Sequence, residues 1–94
     1  MEEEVQRLRA DLDRLTREFE ITLGRANGLH MTMLVLTREW GKPAADVIEN
    51  LERTIERGEA TALPTPLPDA TIAEAHRVAR MALETLRHAH REGG

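Results

Sequence analysis

The chain of 94 residues contains no cysteine, serine or tyrosine, and its aromatic residues are Phe19 and Trp40 alone. Without cysteine, neither a disulfide framework nor a thiolate metal site can reinforce the fold. The same absences remove most side-chain nucleophiles, and the six glycines form no phosphate-cradling loop. No catalytic or cofactor-binding residue is assigned, and the chain is expected not to be an enzyme and to need no cofactor. Long hydrophobic runs are missing as well. The longest, Leu29 to Leu36 (LHMTMLVL), is interrupted by His30 and Thr32 and is less than half of what a bilayer span requires, so no membrane partner is expected. The acidic start MEEEVQRLRADL reverses the layout of a secretory signal, and the ending HREGG carries no lipidation motif, which gives a cytoplasmic expectation. Nor is there an excess of positive charge: 13 basic residues against 17 acidic leave a net charge of -4, which argues against a general polyanion binder.

What is present is Leu, Ala, Ile, Val and Met at 40% hydrophobic content overall and 32% charged residues, a balance that favours helix over sheet. A chain this short struggles to bury enough apolar surface alone, so association with another chain is the expected reinforcement. The apolar positions show where. Val5, Leu8, Leu12, Leu15 and Phe19, then Thr22, Ala26, Leu29, Met33, Leu36 and Trp40, are spaced alternately by three and four, which is a heptad seam. Glu4 and Arg9 flank its first heptads with signs that would attract across a parallel dimer. Beyond Phe19 the stripe widens, with Ile21, Leu23, Met31, Leu34 and Val35 placing apolar groups on nearly every side, so this half is expected to be buried all round.

The segment GRANG, Gly24 to Gly28, is the difficulty, since its two glycines and asparagine cost an interior helix roughly 2 to 3 kcal/mol relative to alanine. One reading breaks the helix there into a hairpin, with Asn27 and Gly28 in the turn. The other keeps one helix of about 58 Å from Glu2 to Trp40, bent or closely approached by a partner at the glycines. An independent second helix has no reason to preserve the heptad register, so the continuous helix is preferred. In that case Gly24→Ala and Gly28→Ala should leave stability unchanged or raise it by about 0.4 to 1 kcal/mol, and clear destabilisation would indicate positive φ or close packing against the glycine instead.

Downstream, Pro43 is expected in the first turn of a second helix whose face is Ala44, Val47, Ile48, Leu51 and Ile55, with Gly58 as its C-cap. Pro64, Pro66 and Pro68 make the stretch from Glu59 to Asp69 an extended spacer. A third helix follows, capped by Asp69 or by a Thr71–Glu74 capping box, with a seam of Ile72, Ala75, Ala79, Ala82 and Leu86. The expected fold is all-α: a long N-terminal coiled-coil helix, straight or kinked, followed by two shorter helices in an oligomeric helical bundle. It is one domain, divided into a coiled-coil segment (1–23), core helices (24–58), a proline-rich connection (59–69) and a C-terminal helix (70–92).

Each candidate site competes with a simpler reading. Leu36 to Gly58 has a helix-turn-helix outline, but Asp46, Glu49, Glu52 and Glu56 would repel phosphates, and an ordinary helix corner fits better. Arg77, Arg80, Arg87 and Arg91 are a candidate polyanion contact, although Glu74, Glu84 and Glu92 among them favour a solvated mixed-charge face. His30, His76, His88 and His90 lack the spacing of a metal site, and none is assigned. Trp40 reads as a plug at the end of the bundle or, less well, as a partner hot spot.

The seam residues Val5, Leu8, Leu12, Leu15, Phe19, Ala26, Leu29, Met33, Leu36 and Trp40 are therefore the favoured site. The favoured function is a non-enzymatic homo-oligomer acting as a scaffold or protein-protein interaction module. Its partners would be a second copy of the chain and a further protein, with nucleic acid not favoured. Two alternatives stay open: a nucleic-acid-associated assembly, and a small inhibitor or antitoxin-like protein presenting its acidic second helix. Under the first, a short oligomeric coiled-coil chain resembles helix-turn-helix-like regulators or the small packaging or terminase-like components of phage particles, in architecture alone.

Overall fold

In the computed structural model, which describes residues 1–61 and 66–93, the described residues form three helices. They are α1 (Glu2–Arg38), α2 (Ala44–Ala60) and α3 (Asp69–Gly93). The first helix is continuous. No residue in it has positive φ, so GRANG makes no turn, and the preserved heptad register reflects one helix. Its N-terminus carries Glu2, Glu3 and Glu4, where the helix dipole favours negative charge.

Gly24 and Gly28 stay helical because they are where α3 comes closest. A methyl group on Gly24 would stand 2.5 Å from the Thr71 carbonyl oxygen and 2.8 Å from the Glu74 Cβ. At Gly28 it would stand 2.6 Å from the Ala75 carbonyl oxygen. Two glycines one turn apart bring the two backbones together, as small residues at this spacing do wherever helices approach closely. Thr71, fully buried, completes the junction by donating its hydroxyl to the Glu20 carbonyl oxygen at 2.8 Å. The capping box expected of Thr71 and Glu74 is thus not formed, because both side chains turn to α1.

Gly24 meets Thr71 and Gly28 meets Ala75, so α1 and α3 run parallel. Arg80 pairs with Glu59 and Arg87 with Glu52, so α2 runs against α3. The core lies where all three meet: Val35, Leu51, Ile55, Ala79 and Leu83, with Met31, Ile48 and Leu86 packed on it. Leu29 and Met33, expected in this core, are exposed instead, because α3 occupies the opposite side of α1.

The remaining boundaries differ by small amounts with local causes. Pro43 stands at the N-cap of α2 (φ -56, ψ 145) rather than inside its first turn. Gly58 does not cap α2, which continues to Ala60 and closes where the Thr61 hydroxyl and N–H both donate to the Arg57 carbonyl oxygen. Glu59 and Ala60 are accordingly helical, not part of the spacer. Pro64, in the middle of that spacer, lies outside the described residues. Gly41, at φ 89, supplies the left-handed residue of the α1–α2 turn.

The molecule is elongated, 64 × 30 × 18 Å with a radius of gyration of 17.8 Å, against about 12 Å for a compact chain of this length. The excess length is the first half of α1. Residues 2–19, roughly 27 Å of helix, are exposed apart from the half-buried Asp11, and α3 begins beside α1 only near Glu20.

These contacts reverse the expectation for the glycines. Gly24→Ala and Gly28→Ala should each destabilise by about 1 to 3 kcal/mol, since overpacking against backbone outweighs the gain in helix propensity. Gly58→Ala, with nothing within 4 Å of the added methyl, should stabilise by about 0.4 to 1 kcal/mol. Urea midpoints of the three variants test this, and equal shifts at all three would refute it.

Candidate functional site

The two faces of α1 are set by helical geometry. Residues two apart point about 200° from each other, so Gly24 and Gly28, packed on α3, leave Ala26 on the opposite side. The buried residues of α1 are Gly24, Gly28, Thr32 and Val35, and Thr32 ties its hydroxyl back to the Gly28 carbonyl oxygen at 2.8 Å. The seam faces away. Val5, Leu8, Leu12, Leu15, Phe19, Leu29 and Met33 are all exposed, Phe19 by 67%. Ala26 is exposed and Leu36 half-buried. The stripe lies along one side of one continuous helix, and the chain's own buried core does not use it.

Trp40 lies just past the end of α1 and is 87% exposed, so it does not plug the bundle. It borders a hollow of about 600 Å³ with Leu36, Val47, Ile48 and Leu86. A second groove runs between α1 and α3, walled by Leu29 and Leu36 on one side and Val78, Met81, Ala82 and Leu86 on the other. Met81 is itself 53% exposed. Leu29 and Leu36, on the edge of the seam nearest α3, therefore form one wall of a groove whose other wall is α3, which sequence reasoning missed. The available signal was the apolar widening of α3 at Val78 and Met81.

The arginine stripe is largely compensated within the chain. Arg77 makes two bonds to Glu74, at 2.6 and 2.9 Å, and Arg80 holds Glu59 through two nitrogens. Arg87 reaches Glu52 at 2.6 Å and Glu84 at 2.7 Å. Arg91 is exposed in the last turn of α3. At the helix corner, Lys42 contacts Glu39 at 2.6 Å, Arg53 contacts Glu49 at 3.0 Å, and Asp46 and Glu56 are exposed. His30, His88 and His90 are exposed and His76 half-buried. Among the described residues no three His, Asp or Glu side chains come together to hold a metal ion, and no helix is long and apolar enough to cross a membrane.

Glu74 is the electrostatic counterpart of the glycine contact. It sits over Gly24 with its side chain 11% exposed and takes Arg25 of α1 at 2.7 Å as well as Arg77. Hydrogen bonds from Arg77 and Arg25 hold its carboxyl at about 2, against an ordinary 4.5, with desolvation opposing. Glu39 is also lowered, by Lys42 first with Asn50 and Arg38 adding. Glu52 is lowered by Arg87 and Glu59 by Arg80. No protein-family model, curated protein or solved structure matches the chain.

A carboxylate whose pKa falls on folding contributes stability in full above its unfolded value and loses it as pH drops towards the folded value. The chain should therefore lose stability between about pH 5 and pH 2, and Glu74→Gln should make that acid limb shallower. Urea midpoints measured across this range test the effect, and a midpoint that does not move would rule it out.

Proposed function

We propose that the chain is a non-enzymatic, self-associating helical scaffold that joins copies of itself through the open face of α1. The observation that carries this reading is the apolar stripe from Val5 to Leu36, which stays on the solvent side of α1 after the intrachain core is complete. Soluble monomers rarely leave so continuous an apolar surface uncovered, and such patches mark interaction sites. The core also calls for help: among the described residues, its buried apolar members are Val35, Leu51, Ile55, Val78, Ala79 and Leu83. The mixed-sign charge of the outer surface lets such an assembly stay soluble.

A nucleic-acid role is less well supported, since Arg77, Arg80 and Arg87 are engaged by carboxylates of the same chain, and counterion release needs free cations. For an antitoxin-like role, Glu49 and Glu52 of α2 have partners within the chain, which weakens α2 as an acidic bait.

Light scattering from 1 to 100 μM, roughly the range in which weak to moderate association is visible, should report a dimer or higher oligomer. Leu12→Glu, in the free half of α1, should weaken association by about tenfold or more while leaving helical circular dichroism in place. A wild-type chain that stays monomeric throughout would sink the proposal.

A further inference from the structure

The second half of α1 shares an open apolar groove with α3, and the first half of the same helix is an unaccompanied segment with an exposed apolar stripe. The junction of Glu20 with Thr71 divides α1 into nearly equal halves: residues 2–19, about 27 Å long and unaccompanied, and residues 20–38, about 28 Å long and packed on α3. One half lacks a partner, and the other borders α3 along an apolar groove that spans Leu29 to Leu36 of α1. We propose that two copies associate antiparallel, so that the free half of each α1 lies in the α1–α3 groove of the other and completes a four-helix bundle at each end. This rests on the self-association reading above and specifies the occupant and its direction.

The seam register supports this direction. In an antiparallel pair, alternating seam positions of one helix meet the complementary positions of the other. Here Val5 then faces Leu36, Leu8 faces Met33 and Leu12 faces Leu29, the residue numbers in every layer adding to 41. At the centre Leu15 faces Ala26 and Phe19 faces Thr22, so each small side chain is covered by a large one. The symmetry axis crosses between Glu20 and Ile21, where α3 begins to accompany α1. A parallel pair would instead stack Thr22 on Thr22 and Ala26 on Ala26, two thin layers in succession, beside Phe19 on Phe19.

Helix direction agrees. Because α1 and α3 are parallel and α2 runs against both, an antiparallel helix on the open side of α1 and α3 gives a four-helix bundle in which neighbouring helices alternate in direction. The exposed Met81 on α3 then lies against the incoming helix. Flanking charges do not decide the matter: Glu18 comes opposite Arg25, but Glu4 comes opposite Glu39 and Arg9 opposite His30.

The absence of native cysteine permits a direct test on the full chain. Val5→Cys and Leu36→Cys variants are prepared singly, mixed, allowed to exchange and oxidised. The mixture should yield a covalent heterodimer, while Val5→Cys alone should not cross-link. As a second measurement, a spin label on Ala10→Cys, on the outer side of the free half, should report a separation beyond about 30 Å. The two labels lie some 21 residues apart along the antiparallel pair, against about 20 Å for a parallel pair. Efficient cross-linking of Val5→Cys to itself, with the short separation, would overturn the antiparallel arrangement and leave self-association standing. A dimer that gives neither cross-link would also overturn it. A chain that light scattering finds monomeric would remove both readings together.

Discussion

The close contact of α1 with α3 at Gly24 and Gly28 governs the rest of the architecture. Each glycine costs a helix up to about 1 kcal/mol relative to alanine, yet a side chain at either place would push into the backbone of α3. The contact determines which side of α1 faces inward, and by geometry it sends the heptad stripe outward. It also sets the level at which α3 joins α1, through Thr71 and Glu20. The length of helix left unaccompanied follows from that level.

Electrostatics reinforces the same junction without creating it. Glu74 joins Arg25 of α1 to Arg77 of α3, while Arg80 and Arg87 attach α2 to α3 through Glu59 and Glu52. The pairs of Arg80 and Arg87 are partly open to water, and such salt bridges are individually weak. Their more definite effect is on the surface that remains: most of the arginine stripe is compensated, and the feature left without a counterpart is apolar. That is why the proposed function concerns association through the seam and not recognition of a polyanion.

Much of the fold could be read without the structure. The unbroken register of Val5, Leu12, Phe19, Ala26 and Met33 indicated one long helix across GRANG, and the prolines and their flanking patterns marked two more. What could not be read was the role of residues that act across helices. Thr71 and Glu74 have the spacing of a capping box, but a local pattern does not say whether a neighbouring helix competes for the same side chains. Trp40 has seam spacing, but α1 ends at Arg38, so the helical geometry that gives the spacing its meaning stops before it.

Periodicity and propensity act within a few turns of one chain, so the residue pattern alone carried the helical class and the line of apolar residues along α1, and it favoured a continuous α1 over a hairpin. Which face of α1 would be inside was undetermined, since Leu23, Met31 and Val35 compete with Leu29 and Met33 on apolar character alone. The tertiary structure decided it by backbone approach: only the face bearing Gly24 and Gly28 lets α3 come close enough for Thr71 to bond to the backbone of α1. The seam was left outside because the tightest packing available to the chain lies on the other side of the same helix.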